Sequence, residues 1–226
     1  VVTRAATREK RVFYAQPARP RFAILNPRVM ASLPDRQLAN GLVDAFVHVC
    51  EQYLTYPVGA LVQDGYAEAV LRALKTLADS FERRREPDWG QNLMWAANQA
   101  LCGIIGVGVP QDWATHRLAV QLTALYDIDH GRTLSIIQPF VLREGIEARR
   151  AKLEQMGRQV FGLEGASAEA VVAEIEAMYR GLGMPLHLRE AGVDEADAAG
   201  RVLALARAQG HVPFRGAMPL DEGQVE

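Results

Sequence analysis

The sequence predicts a mainly α protein, a helical bundle that follows a short segment of β-strands. From residue 32 onward, apolar side chains recur at steps of three and four residues, which is the period of an amphipathic helix. Before residue 28, β-branched and aromatic runs stand between polar ones, as is typical of strands and hairpins. We therefore divide the chain into strands over 1–27 and an all-helical domain over 28–226.

The N-terminal segment contains three predicted strands. VVTRAA and RVFYAQ flank the polar TREK and form a predicted hairpin, while RFAILNP is a predicted short buried strand that ends at Asn26-Pro27. Three strands cannot bury both faces of a sheet by themselves. These strands therefore either cap the helices or belong to a sheet whose other strands lie outside this chain.

The rest of the chain predicts helices bounded by capping residues and breakers. Ser32 is a predicted cap for a helix that begins near Pro34, and Asp112 and Ser167 are predicted caps for two later helices. The predicted helical segments are LANGLVDAFVHVCEQYLT, VGALVQDGYAEAVLRALKTLADSFERR, DWGQNLMWAANQALCGIIG, WATHRLAVQLTALY, TLSIIQPFVLREG, IEARRAKLEQMGRQVFG, SAEAVVAEIEAMYRGLG and DEADAAGRVLALARAQG.

Composition argues against several classes of partner. With 25 basic and 27 acidic residues, the net charge of -2 gives no strong field for nucleic acid or an anionic membrane. No segment approaches the 18 or so apolar residues that span a bilayer. Cys50 and Cys102 form no CxxC pair and are expected to be reduced thiols, which together with the missing signal peptide predicts a cytoplasmic protein.

Four side chains form a candidate metal site. Asp44 and His48 are four residues apart, which places them on one face of a helix. His116 and His130 flank another predicted helix, and one carboxylate with three imidazoles suits Zn²⁺ or Fe²⁺. The Asp44–His48 pair alone also fits a hydrogen bond on a helix surface, and a histidine on an apolar helix is more often a core residue than a ligand.

Three further polar residues are weaker candidates for the metal site. Glu51 lies one turn after His48, where it would either orient a ligand or form an ordinary helix salt bridge. His187 and His211 lie near predicted loops or helix ends and are expected at the surface.

ANGLVDAFVHVCEQY and GVPQDWATHRLAVQLTALYDIDHGRTLSIIQP resemble the iron-containing alcohol dehydrogenase family, in particular its butanol dehydrogenase and NADPH-dependent aldehyde reductase branch. The resemblance implies a helical domain similar to that of dehydroquinate synthase. It also implies that Asp44, His48, His116 and His130 hold the metal and that Lys10 approaches a dinucleotide. Without the resemblance, Lys10 would be interpreted as a solvated turn lysine.

The implied function is that of the metal-binding C-terminal domain of an NAD(P)-dependent alcohol dehydrogenase or aldehyde reductase. Its metal, Fe²⁺ or Zn²⁺, would polarise the oxygen of a small alcohol or aldehyde during hydride transfer. The alternative is a truncated or degenerate helical module that holds metal without catalysis. A metal-dependent hydrolase would need a general base beside the metal, and no residue clearly offers one.

Two departures from the family pattern limit what this chain is expected to do. It contains no glycine-rich phosphate loop that follows a strand, so residues 1–27 are interpreted as strands of an N-terminal α/β domain that is absent here. Their edges would favour a homodimer, and the chain alone is expected to be inactive. Val120 stands where many relatives carry a histidine near the nicotinamide, so no catalytic side chain besides the metal ligands is certain.

Overall fold

The predicted mainly α fold is confirmed. The computed structural model describes residues 2–7, 9–11, 15–18, 20–193, 195–211, 218 and 223–225. The α-helices found there are α1 (Asp35–Tyr53), α2 (Leu61–Asp79), α3 (Pro87–Ala100), α4 (Ala114–Tyr126), α5 (His130–Glu144), α6 (Ile146–Met156), α7 (Ala168–Gly181) and α8 (Glu195–Ala208).

The N-terminal residues form a small antiparallel ladder. Strand β1 (Val2–Arg4) pairs with β2 (Glu9–Arg11), and Thr3 lies opposite Lys10. The second strand thus begins inside TREK, which the sequence predicts as the turn, because a short 3₁₀ segment at Ala5–Thr7 already reverses the chain. Residues 12–14, in the predicted second strand, lie outside the described residues.

The prediction of a buried strand in RFAILNP is wrong. Residues 21–26 adopt no regular structure, and the side chains of Phe22 and Ile24 are 81% and 82% exposed. A strand requires a neighbour that completes its backbone hydrogen bonds, and in the described part of the chain β1 and β2 pair with each other alone. A 3₁₀ helix at Pro27–Ser32 follows this segment.

Two of the predicted helix caps are also wrong. Ser32 hydrogen-bonds a carbonyl of its own 3₁₀ turn, and Pro34 is the cap residue of α1. Asp112 lies one residue before Trp113, the cap of α4, and its carboxylate forms a buried ion pair with Arg149.

Helix α1 lies at the centre of the bundle. It packs against α2, α3 and α5, and its buried Phe46 meets Tyr179 of α7 edge-on with ring centroids 6.2 Å apart. A second, smaller cluster joins α4, α5 and α8. Because α4 and α5 both contact α1, side chains from these three helices can converge.

The structure also bears on the predictions about membrane-spanning segments and about the two cysteines. Within the part of the chain that the structure describes, no helix combines the length and apolarity that a bilayer crossing requires. Cys50 is buried, Cys102 is exposed, and both are free thiols.

Candidate metal centre

Helix α1 supplies two of the four predicted ligands, Asp44 and His48, separated by one turn. His116 lies in the first turn of α4, and His130 is the first residue of α5. The ligand atoms of Asp44, His116 and His130 all lie within 4.8 Å of one another, and this trio is called the cluster below. The structure therefore brings together side chains that are up to 86 residues apart in sequence (130 minus 44).

The loop between α4 and α5 positions His130. Asp127 ends α4 in the left-handed conformation (φ 54°), which reverses the chain. The carboxylate of Asp129 then accepts hydrogen bonds from Arg36 Nε at 2.6 Å and Asn40 Nδ2 at 2.8 Å, which fixes the loop to α1. At Gly131, an added Cβ would lie 2.5 Å from the carbonyl oxygen of Asn40, so glycine permits the close approach of α5 to α1.

His48 lies beside the cluster. Its Nδ1 is 2.7 Å from the carbonyl oxygen of Asp44 and 3.0 Å from Asp44 Oδ1. Since a carbonyl oxygen can only accept, Nδ1 carries the proton and Nε2 keeps a lone pair. The ring centroid of His48 is 4.2 Å from that of His116. His48 does not belong to the 4.8 Å trio, and its role as a fourth ligand stays a prediction.

Glu51 holds His116 from the buried side. One oxygen of this carboxylate accepts a hydrogen bond from His116 Nδ1, and the other accepts from the His116 backbone N–H at 3.2 Å. Glu51 is 6% exposed, so it is a buried partner of a candidate ligand and not a helix-surface salt bridge. With Nδ1 engaged, His116 turns Nε2 toward Asp44 Oδ1, 3.4 Å away.

The charges of Asp44 and His116 are coupled. Burial alone would raise the pKa of Asp44, but hydrogen bonds from His116 and His48 hold this pKa well below its usual range. Burial alone would lower the pKa of His116, yet Glu51 and Asp44 raise it to about 9. The site therefore favours a positive charge between His116 Nε2 and Asp44, a charge that either a proton or a metal cation can supply.

His130 is held in the form that binds metals. Burial lowers its pKa to about 4, despite the opposing attraction of Asp44. Its Nδ1 is buried and has no hydrogen-bond partner among the described residues, while its Nε2 lies 3.9 Å from Asp44 Oδ1. A neutral imidazole beside a carboxylate and a second imidazole fits a divalent first-row cation such as Zn²⁺ or Fe²⁺.

Lys10 lies at the edge of this site. Its side chain is half-buried on β2, which packs against α4. Burial lowers the pKa of Lys10, the charge of Asp44 opposes that shift, and Lys10 in turn lowers the pKa of His130. The interpretation of Lys10 as a solvated turn lysine is therefore wrong, and its contact with a dinucleotide stays a prediction.

Val120 follows His116 by one turn of α4 and is half-buried. It belongs to neither of the two hydrophobic clusters described above, nor to the side chains that pack on them. Val120 therefore lies at the margin of the packed core, one turn of α4 beyond His116. Of the two remaining histidines, His187 is exposed as predicted, whereas His211 is half-buried with its Nδ1 3.2 Å from Gln121 Nε2.

Sequence reasoning missed two contributors to the site. Asp129 anchors the loop before His130, and Trp113 places its ring near both His48 and His116. Trp113 precedes His116 by three residues, a spacing that puts both on one face of a helix and was a usable signal. Asp129 had no such signal, because its partners Arg36 and Asn40 are about 90 residues away.

A family model and the sequence relatives of this chain point to the same protein family. Residues 38–218 match a sequence model described as the Fe-containing alcohol dehydrogenase family, C-terminal. The chain is 45% identical over 201 residues to the NADPH-dependent aldehyde reductase YqhD of Escherichia coli, covering 86% of this chain and 51% of that protein. It is 31% identical to the NADH-dependent butanol dehydrogenase A of Clostridium acetobutylicum, over 85% of this chain and 51% of that protein.

Solved structures agree with these sequence relatives. A crystal structure of YqhD from E. coli superposes with a TM-score of 0.93 at 38% identity, over 99% of this chain and 59% of that one. The NADH-dependent butanol dehydrogenase A of Thermotoga maritima gives a TM-score of 0.91 at 27% identity, again over 99% and 59%. The chain spans about half the length of the curated relatives it matches. It belongs to the iron-containing alcohol dehydrogenase family and corresponds to the family's C-terminal, mainly α domain.

Proposed function

We propose that this chain is the metal-binding domain of an NAD(P)-dependent alcohol dehydrogenase or aldehyde reductase. The cluster carries the proposal, because a half-buried carboxylate and two imidazoles from three helices converge on one point. The proposed ligands are Asp44, His48, His116 and His130, and the proposed metal is Fe²⁺ or Zn²⁺. The names of the relatives support an oxidoreductase that uses NADPH or NADH.

When bound, the metal would act as a Lewis acid on the oxygen of a small alcohol or aldehyde. The chain's own residues have supporting roles. Glu51 fixes the tautomer of His116 so that Nε2 faces the cluster, and Asp129 holds the loop that leads into His130. Lys10 contributes positive charge at the edge of the site, where a dinucleotide phosphate would be attracted.

The proposed function also requires a cofactor-binding domain, which we place outside the helical domain. Hydride transfer needs a nicotinamide cofactor, which we assign to an N-terminal α/β domain that would include residues 1–27. The edges of β1 and β2 would pair with that domain or with a second copy in a homodimer. The free thiols Cys50 and Cys102 support a cytoplasmic location.

Metal content measured by elemental analysis tests the proposal. The matched variants are His116→Ala, which removes a cluster imidazole, and His187→Ala, which removes an exposed one. We expect His116→Ala to lose most of its zinc or iron, and His187→Ala to retain the content of the unmodified chain. Equal losses in the two variants would contradict the assignment.

The same measurement, followed by an aldehyde reduction assay, separates this function from a degenerate helical module. A protein that contains the chain joined to an intact cofactor domain should reduce aldehydes in proportion to its metal content. Full metal occupancy without any reduction would favour the non-catalytic alternative.

A further inference from the structure

Trp113 lies against two of the proposed ligands. Its ring centroid is 5.8 Å from that of His48 at an interplanar angle of 69°, and 5.5 Å from that of His116 at 65°. Both arrangements are edge-to-face, the geometry that aromatic rings prefer. The indole thus touches a ligand from α1 and a ligand from α4 at the same time.

The indole is itself fixed by a short chain of hydrogen bonds. Its Nε1 donates to Gln111 Oε1 at 3.0 Å, and Gln111 Nε2 donates to the carbonyl oxygen of Gly106 at 2.9 Å. A Cβ at position 106 would lie 2.2 Å from Gln111 Nε2, so glycine there leaves room for this amide. The loop before α4 therefore holds the ring in one orientation.

A role in core packing does not account for this arrangement. Trp113 is half-buried and is absent from both hydrophobic clusters and from the side chains that pack on them. Nor does it cap α4 through its side chain, although it is the cap residue. Its indole contacts Gln111 and the two imidazoles.

We propose that Trp113 is a positioning residue of the metal centre, which holds the imidazoles of His48 and His116 in the orientation in which they face Asp44. His116 has a second restraint in Glu51, a residue of another helix, whereas the hydrogen-bond partners described for His48 are the carbonyl and carboxylate oxygens of Asp44, which belong to its own helix. The ring of His48 therefore depends more on the indole. This inference rests on the proposed function, because it presumes that the two imidazoles bind metal.

Removing the indole should let the His48 ring rotate and should weaken metal binding. Residues that orient metal ligands typically contribute about 10–100-fold in affinity. We expect Trp113→Leu to bind Co²⁺ less tightly by a factor in that range and to change the visible ligand-field spectrum of the bound ion. Trp113→Phe keeps an aromatic edge and should retain most of the affinity. Trp95→Leu, on α3 with its side chain 61% exposed, is the matched control and should bind as the unmodified chain does.

The experiment is a competition titration of the 226-residue chain and its variants with Co²⁺, together with absorption spectra. Gln111→Ala provides a milder variant that frees the indole N–H without altering any ring, and it should lose affinity severalfold. Unmodified affinity and spectrum in both Trp113→Leu and Gln111→Ala would overturn the positioning role. Failure of the unmodified chain to bind Co²⁺ would instead overturn the proposed function.

Discussion

At the scale of single residues, Glu51 shows how a buried charge is maintained. Glu51 is 6% exposed. Among the residues that the structure describes, neither an arginine nor a lysine hydrogen-bonds to its carboxylate. Its stabilising partner is His116, whose imidazole and backbone N–H both donate to it. An uncompensated buried carboxylate would be costly, so Glu51 and His116 must be considered as one unit.

Glu51→Gln should disturb that unit without changing its size. The amide offers one acceptor oxygen where the carboxylate offers two, and its NH₂ group would favour the wrong tautomer of His116. We expect zinc affinity to fall by about 10–100-fold, as for other groups that orient a ligand. Isothermal titration with Zn²⁺ measures this, and Glu86→Gln, on an exposed pair with Arg83, is the control. Equal affinities for the two variants would show that Glu51 does not orient His116.

Val120 offers a second test at this scale, in a protein that contains the cofactor domain. The family resemblance implies a histidine there, one turn beyond His116, whereas valine can neither donate nor accept a proton. General acid–base assistance typically contributes about 10²–10⁴-fold. Val120→His should therefore increase the rate of aldehyde reduction by some part of that range at unchanged metal content. A rate that stays the same or falls, at matched metal occupancy, would count against a proton relay at this position.

At the scale of elements, the site depends on how closely α5 approaches α1. This contact is made at Gly131, where the backbone of Asn40 leaves no room for a side chain. The loop before α5 leads the chain into this contact, because Asp127 adopts the left-handed backbone conformation and Asp129 is hydrogen-bonded to α1. The position of His130 is therefore a property of a helix pair and its loop, and not of the histidine alone.

Gly131→Ala should push the two helices apart. The new Cβ would meet backbone atoms of Asn40, which cannot move aside as a flexible side chain would, and overpacking of this kind costs about 1–3 kcal/mol. Urea unfolding should show this loss, accompanied by weaker zinc binding. Gly65→Ala in α2, where an added Cβ meets nothing within 4 Å, should be neutral or stabilising. A Gly131→Ala protein as stable as Gly65→Ala would refute the close contact.

The start of α1 carries a pH-dependent ion pair. A hydrogen bond from Arg84 is the main cause that lowers the pKa of Asp35 to about 2, and Arg85 adds to the effect. Because the folded pKa lies below the ordinary value of about 3.8, the contribution of Asp35 is present above pH 4 and is lost as the pH falls toward 2. Asp35→Asn should lower the melting temperature at pH 6, and this difference should disappear near pH 2. A difference that is independent of pH would contradict the ion pair.

At the scale of the whole molecule, local patterns were predictable and long-range partners were not. The helix periodicity and the i, i+4 spacing of Asp44 and His48 depend on neighbours in sequence, and the structure follows them. The contact of Glu51 with His116 joins residues 65 apart, and no spacing rule indicates it. RFAILNP has the composition of a strand, yet a strand also requires a partner, which composition cannot reveal. The family resemblance strengthened the choice of His116 and His130, since single histidines carry little information by themselves.

The described sheet has two strands, β1 and β2, which bears on what the chain can bind alone. Dinucleotide sites use a glycine-rich turn between a strand and a helix, where backbone N–H groups meet the pyrophosphate. In the described residues no α-helix directly follows a strand in this way. Lys10 by itself offers a single charge, which cannot replace the row of backbone N–H groups at such a turn. We therefore expect the 226-residue chain to bind zinc but not to bind NADPH in the micromolar range.

A titration that follows nicotinamide fluorescence tests this expectation, with the NADPH-dependent aldehyde reductase of E. coli as the positive control. Micromolar binding by the chain alone would mean that the helical domain has a nucleotide site of its own, and the assignment of hydride transfer to a separate domain would then have to be abandoned.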